Sequence, residues 1–144
     1  MTTQRPYIPE HIRRRVAQEA RHRCGYCLTP VRFTAKQLHV EHIIPIAAGG
    51  GSDINNLWLA CDLCNGHKGM RTHAVDPLTN ETVPLFNPRQ QDWHMHFTWS
   101  GSGVYVIGLT AIGRATIVAL HLNNPLLTEA RRWWVQAGWH PPQE

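Results

Sequence analysis

The sequence predicts an α+β fold in a single domain that spans residues 1–144. Helix-like patterns occur near both ends of the chain, a strand-like segment lies in its first half, and a hairpin-like pattern lies in its second half. Hydrophobic residues make up 42% of the chain and charged residues 17%, which is typical of a globular protein rather than a disordered one. A chain of this length forms only a modest core, so we expect an additional cross-link to stabilise it.

The N-terminal region predicts a helix. Residues up to about Arg5 are typical of a loose tail, and Pro9 can open a helix that continues through residues 11–20. Ile12 and Val16 are four residues apart and would form the buried stripe of this helix, which leaves its arginines largely in water.

The middle region predicts a strand, a loop and a short helix. Residues 38–44 are rich in β-branched side chains and end at Pro45, as expected of a strand. The glycine-rich residues 48–53 predict a loop, and a short helix is expected to start near Asn65.

The C-terminal region predicts a β-hairpin followed by two helices. Residues 94–99 and 104–109 flank a Gly-Ser-Gly turn. One helix is expected over about residues 114–122 and another from Pro125 to near Gly138. We interpret the aromatic and histidine side chains of this region as packing or surface residues, with stacking of the tryptophans on nucleic-acid bases as the alternative: Trp93, Trp99, Trp133, Trp134, Trp139, His94 and His96.

The charge of the chain favours a nucleic-acid partner. The formal net charge is +4, and Lys36 and Lys68 are the only lysines among 14 basic residues. Arginine binds phosphate through two parallel hydrogen bonds, although an ordinary solvated basic surface would have the same composition. No apolar stretch follows Met1, and no run is long enough to cross a membrane, which predicts a cytoplasmic protein without membrane contact and with reduced thiols.

All four cysteines fall into two Cys-x-x-Cys pairs, Cys24 with Cys27 and Cys61 with Cys64. Two such turns can complete a tetrahedral sulfur shell, which suits Zn²⁺, whereas a redox dithiol would use only one pair. Four thiolates leave no coordination site for water, so this zinc would be structural. It would clamp residues 28–60 into a loop whose ends meet at the metal, and chemistry is expected there.

Inside that loop, the Glu41-His42 dipeptide offers a carboxylate and an imidazole. Histidine titrates near neutral pH and can take a proton from water, while carboxylate oxygens bind hard divalent ions. Adjacent residues of a regular strand point to opposite faces, so both can serve one site only where the strand twists or bulges.

The wider pattern resembles the HNH endonuclease family, in its branch with two Cys-x-x-Cys knuckles. The pattern combines His-Val-Glu-His-Ile-Ile-Pro at 39–45, two glycines at 49–50, Asn-Leu at 56–57, and Cys-Asp-Leu-Cys-Asn at 61–65 followed by Lys68. The resemblance covers about residues 10–72. It implies a ββα-metal core, in which a β-hairpin and a helix surround one catalytic ion, and DNA products with 5′-phosphate and 3′-hydroxyl ends.

The resemblance also implies a role for each matching residue. His42 corresponds to the general base, and Asn56 corresponds to the asparagine that orients this base by pinning its loop. Glu41 and Asn65 correspond to the ligands of a catalytic Mg²⁺ or Mn²⁺. The family more often has aspartate or histidine where Glu41 stands, and histidine where Asn65 stands.

Four further residues are candidate accessories. His39 lies two residues before Glu41 and could assist the metal or the phosphate, with a solvent-facing structural histidine as the favoured interpretation. His67 could replace Asn65, but a helix turns it to roughly the opposite side. Lys68 and Arg71 are either phosphate contacts or ordinary solvated charges.

We therefore expect a DNA endonuclease with its core at residues 10–75 and a C-terminal extension at residues 76–144. The alternatives are a non-catalytic zinc-ribbon module that binds nucleic acid and a zinc-stapled interaction protein with a decayed nuclease core. A homodimer or a protein partner is compatible with the sequence. The intact set of Glu41, His42, Asn56 and Asn65 favours the enzyme.

Overall fold

The computed structural model describes residues 6–143, so the predicted N-terminal tail lies outside the described residues. Helices and strands alternate along the chain, and the α+β prediction is confirmed. The helices are α1 (Glu10–Glu19), α2 (Val31–Thr34), α3 (Asp62–Lys68), α4 (Trp93–His96), α5 (Ala111–Leu120) and α6 (Pro125–Gln136). The strands are β1 (His39–His42), β2 (Leu57–Ala60), β3 (His73–Val75), β4 (Thr82–Pro84), β5 (Phe97–Trp99) and β6 (Val106–Gly108).

The strands form three antiparallel hairpins, β1 with β2, β3 with β4, and β5 with β6. In the first hairpin, Glu41 lies opposite Trp58 and His42 lies opposite Leu57. Helix α1 packs on β2 and buries Val16 against Leu57 and Leu59 in a small core. This core supports the hairpin that carries the Glu41-His42 pair.

A larger core surrounds the cysteines and joins the two halves of the chain. Cys24, Cys27 and Cys64 are buried with residues from α5 and α6, including Leu120 and Leu127. Helix α3 packs on α5. The second half of the chain therefore covers the cysteine cluster.

The predicted helices near both ends are confirmed within a few residues, and the predicted strand is confirmed as the shorter β1. The short helix α3 starts three residues before Asn65 because the Cys61 side chain caps it by accepting a hydrogen bond from the Cys64 backbone. The predicted hairpin strand over residues 94–99 is partly wrong. Asp92 caps a short helical turn at 93–96, so the strand begins only at Phe97.

Strand β2 was expected only as the second strand of the hairpin that the family resemblance implies, and helix α2 and the β3–β4 hairpin were not predicted. None of the helices within residues 6–143 is both long and apolar enough to cross a membrane.

Candidate active site

The four cysteines form a single cluster of sulfur atoms. All four Sγ atoms lie within 4.8 Å of one another, and the Sγ atoms of Cys27 and Cys61 are 3.7 Å apart. Tetrahedral zinc with Zn–S bonds of about 2.3 Å would hold its sulfurs about 3.8 Å apart. The cluster therefore has the donor set and the spacing of a four-sulfur zinc site, and these cysteines could bind zinc.

Each knuckle is fixed by its local sequence. The backbone N–H of Gly25 donates to the Leu59 carbonyl at 2.9 Å, which joins the first knuckle to β2. A Cβ atom at Gly25 would lie 2.3 Å from Cδ1 of Trp58, so only glycine permits this approach. The second knuckle forms the first turn of α3. Residues that follow the cysteines in either knuckle are thereby held at fixed positions.

The Glu41 carboxylate is buried between side chains from both knuckle regions. It is 5% exposed, and its Oε1 accepts a hydrogen bond from the Tyr26 hydroxyl, which lies inside the first knuckle. Lys68, at the end of α3, places Nζ 3.8 Å from Oε2. Burial raises the pKa of Glu41, while the charge of Lys68 and the hydrogen bond from Tyr26 lower it. The pKa of Glu41 is raised on balance, because the effect of burial exceeds that of its two partners.

His42 is the last residue of β1 and is half-buried. Its Nε2 atom lies 3.0 Å from Ser52 Oγ, in the glycine-rich loop. That loop is fixed by Asn56, whose Oδ1 accepts from the Ile44 N–H at 2.8 Å and whose Nδ2 donates to the carbonyls of Ile44 and Gly51 at 3.0 and 2.8 Å. The asparagine thus pins the segment that contacts the histidine ring, in the way that the family resemblance implies.

The same loop requires a glycine at position 50. A Cβ atom there would lie 1.8 Å from the Ile44 carbonyl oxygen and 2.9 Å from Asn56 Nδ2. Any larger residue at Gly50 would displace the hydrogen bonds that Asn56 makes.

Glu41, His42 and Asn65 all line one cavity of about 310 Å³, which we call the β1–α3 cavity. Its other lining residues are Val40, Pro45, Ile46, Ala47, Gly69 and Met70. Strand alternation buries Glu41 and leaves His42 at the end of the strand, yet both residues border this cavity. The three residues that the sequence analysis assigned to catalysis and metal binding are therefore neighbours.

The accessory candidates lie elsewhere or are engaged. His39 contacts the Asp62 carboxylate at the surface. The His67 ring packs on the His121 ring with centroids 4.4 Å apart, and His67 is not among the residues that line the β1–α3 cavity. Arg71 donates to the carbonyls of His67 and, at 2.7 Å, Ala119.

Lys68 requires a correction, because both predicted roles needed an exposed side chain. It is 2% exposed, and its Nζ donates to the Ile43 carbonyl at 2.8 Å and to the His42 carbonyl at 3.4 Å. Burial lowers its pKa, and Glu41 raises it. The ammonium instead fixes the end of β1 from within the core.

The tryptophans divide into two groups. Trp93 is buried and donates to the Tyr26 carbonyl at 2.9 Å, so its packing role is confirmed. Trp133 and Trp139 are 63% and 58% exposed. His96 contacts Thr110 Oγ1 at 2.7 Å, in keeping with a structural residue.

Tyr26 is the site residue that the sequence analysis missed. The available signal was the position of this hydroxyl-bearing residue between Cys24 and Cys27. Two zinc ligands on either side would fix Tyr26 as firmly as the cysteines themselves. No spacing rule indicated that this hydroxyl reaches Glu41, fifteen residues away.

A β-hairpin and a short helix, with four clustered cysteines beside them, enclose a cavity that is lined by a glutamate, a histidine and an asparagine. Residues 24–71 match the family model described as HNH endonuclease. These residues therefore form an HNH domain, which contains both Cys-x-x-Cys pairs and most of the lining of the β1–α3 cavity.

Among curated proteins, the chain is similar to the Septu protein PtuB of Bacillus thuringiensis. The two are 26% identical over 116 residues, which is 79% of this chain and 42% of the relative. The chain thus spans about two fifths of the length of that relative. No solved structure matches the chain.

Proposed function

We propose that this protein is a metal-dependent endonuclease that hydrolyses DNA phosphodiester bonds at the β1–α3 cavity. The observation that carries the proposal is the meeting of Glu41, His42 and Asn65 at one cavity within the HNH domain.

In this proposal, His42 is the general base. Its imidazole takes a proton from a water molecule, which attacks the phosphorus atom and displaces the 3′-oxygen of the neighbouring nucleotide. Ser52 holds one ring nitrogen, and Asn56 holds the loop that carries Ser52. The products would have 5′-phosphate and 3′-hydroxyl ends.

Glu41 and Asn65 would hold the catalytic Mg²⁺ or Mn²⁺. Both offer oxygen ligands, which hard divalent ions prefer, and one Glu41 oxygen is already oriented by Tyr26. Within the described part of the chain, no side chain donates a hydrogen bond to the Asn65 amide oxygen. Bound there, the ion would offset charge on the phosphate and the leaving oxygen.

The four cysteines would hold a structural Zn²⁺ that positions Tyr26 and α3. On this basis, residues 10–75 form the nuclease core and residues 76–144 an extension that packs on it. The zinc would be required for the site to assemble but would take no part in the reaction.

The test is nicking of supercoiled plasmid with added Mg²⁺ or Mn²⁺, with zinc content measured for each sample. We expect His42→Ala to lower the nicking rate by at least about a hundredfold at equal zinc content. His73→Ala, which removes an exposed histidine outside the cavity, is the matched control and should retain full activity.

One observation favours the non-catalytic alternative: the ion pair of Glu41 with Lys68 could serve folding alone. A folded, zinc-loaded protein that binds DNA but cuts it with neither metal would support that alternative. Equal activity of wild type and His42→Ala would exclude His42 as the base.

A further inference from the structure

A second cavity, of about 500 Å³, lies away from the cysteine cluster and combines cationic with aromatic side chains. We call it the arginine–tryptophan groove and define it by Arg21, Arg23, Arg32, Phe33 and Trp139. Pro30 and residues 138 and 141–143 complete its lining. None of the described residues that line it is acidic.

The aromatic side chains form a fixed platform. The Phe33 ring lies 4.9 Å from the Trp134 ring and 5.4 Å from the Trp139 ring, measured between centroids. The Phe33 and Trp139 planes are inclined by only 32°. Trp139 is nevertheless 58% exposed. A large ring that is packed on one side and open on the other can accept a planar ligand by stacking.

Two cations of the groove, Arg21 and Arg32, can contact a ligand. The Arg32 guanidinium lies over the Phe33 ring, 5.1 Å from its centroid. In the described residues, neither Arg21 nor Arg32 forms an ion pair with a carboxylate. Arg21 also has a left-handed backbone, with φ of 57°. Guanidinium groups beside an exposed indole match a ligand that carries both phosphates and planar rings.

A third cavity, of about 320 Å³, is lined by residues of α1 and of both strands of the first hairpin. It shares Val40 with the β1–α3 cavity and contains His22 and Val31, the chain neighbours of Arg21 and Arg32. Arg13 and Arg14 also line it. Glu10 lines this cavity as well and lies 3.8 Å from Arg14, so its lining carries both signs of charge.

We propose that the arginine–tryptophan groove binds single-stranded nucleic acid, with a base stacked on Trp139 and phosphates contacted by Arg21 and Arg32. This inference rests on the proposed nuclease function, because the groove would serve to hold a strand that continues to the β1–α3 cavity. Bases of an intact duplex are stacked on one another and cannot stack on an indole, so the groove favours an unpaired strand.

The test is fluorescence anisotropy of a labelled single strand of about 12 nucleotides, a length within the range that such grooves bind. Zinc-loaded protein with His42→Ala and no added Mg²⁺ is used, so that binding is measured without cleavage. We expect Trp139→Ala to weaken binding by roughly fivefold to a hundredfold, the range found for loss of one stacked base. Trp133→Ala removes an equally exposed tryptophan outside the groove and should leave binding unchanged.

The contribution of the arginines to binding is tested with the same anisotropy measurement. Arg32→Gln should weaken binding and reduce the dependence of log K on log salt by about 0.7, as expected for one lost phosphate contact on a single strand. Arg132→Gln, at an exposed arginine outside the groove, is the control. A duplex competitor of the same sequence should displace the strand poorly.

Equal effects of Trp139→Ala and Trp133→Ala would overturn the proposal, as would displacement by duplex as effective as by single strand. Failure to bind the single strand, or self-association through this face, would also overturn it. Specific binding by a protein that never cuts DNA would uphold the groove and refute the nuclease.

Discussion

Among single residues, Glu41 depends most on the side chains around it. A buried carboxylate is strongly destabilising unless it is paired and hydrogen-bonded. Here Tyr26 provides the hydrogen bond and Lys68 the opposite charge. Burial and the Glu41 charge also raise the pKa of Tyr26, so its hydroxyl remains a donor at neutral pH. These two partners hold the carboxylate in one orientation beside the cavity.

We expect Tyr26→Phe to impair metal use without destroying the fold. The substitution keeps the ring that packs edge-on against Phe86 but leaves Glu41 Oε1 without its donor, which should cost about 1–3 kcal/mol of stability. Loss of an outer partner of a metal ligand typically lowers metal affinity about 10–100-fold. The nicking rate should therefore need a higher Mg²⁺ concentration to saturate.

Thermal unfolding and a Mg²⁺ titration of plasmid nicking measure the two effects. Tyr105→Phe, at a half-exposed tyrosine of the second half, is the control. An unchanged Mg²⁺ dependence in a destabilised Tyr26→Phe protein would restrict Tyr26 to a folding role.

Among elements, the β3–β4 hairpin depends on one buried carboxylate. Asp76 is fully buried and accepts hydrogen bonds from Nε and Nη2 of Arg114, both at 2.9 Å, which attach the hairpin to α5. It also accepts from Thr79 and from the Leu78 backbone within the hairpin turn. Arg114, first among these partners, holds the pKa of Asp76 well below its usual range.

This lowered pKa predicts a loss of stability in acid. A folded-state pKa below the unfolded value of about 3.9 means that the stabilisation is complete above about pH 4 and disappears as the pH falls further. Wild-type protein should therefore lose Tm steeply below about pH 4. Asp76→Asn should be less stable at pH 7 and show a weaker dependence on pH in the acid range, whereas Glu81→Gln, at an exposed carboxylate of the same hairpin, should behave as wild type.

The elements also show where sequence reasoning succeeds. Helices α1, α5 and α6 and strand β1 were predicted because local signals specify them: proline at a start, an apolar stripe, or a β-branched run. The β3–β4 hairpin was missed because its strands are three residues long, and its anchor is the contact of Asp76 with Arg114, 38 residues away. Pairwise contacts of that kind leave no periodic pattern.

The candidate site likewise contains residues that the sequence indicated and residues that it did not. The sequence indicated the cysteines, Glu41, His42, Asn56 and Asn65, because their spacing along the chain carries the information. The burial of Lys68 and the contact of Tyr26 with Glu41 arise only when β1, α3 and the first knuckle meet in space. Residues whose importance comes from packing are therefore the ones that the sequence left unassigned, as for Tyr26, or assigned wrongly, as for Lys68.

For the whole molecule, the cysteine cluster is the meeting point of both halves. Helix α6 contributes Arg131, which is fully buried in this core. Its Nη1 donates to the Val104 carbonyl at 3.1 Å and to Asn123 Oδ1 at 3.2 Å, but its Nε and Nη2 have no hydrogen-bond partner among residues 6–143. Burial lowers the pKa of Arg131, and negative charge on Cys27, Cys64 and Cys61 raises it. A zinc ion with four thiolates would have a net charge of about −2, which this guanidinium would offset in part.

We therefore expect Arg131→Met to weaken the proposed zinc site. Methionine keeps an extended apolar side chain but removes the charge, so a chelator should strip zinc roughly tenfold or more faster, as for other outer partners of metal ligands. In zinc-stripped protein the substitution should be neutral or stabilising, because it removes a buried charge that then lacks compensation. The difference in Tm between zinc-loaded and zinc-stripped protein should shrink.

Arg132→Met, one residue along α6 at an exposed arginine, should leave both measurements at wild-type values. If Arg131→Met releases zinc at the wild-type rate and keeps the wild-type Tm difference, the second half of the chain covers the cysteine cluster without acting on its charge.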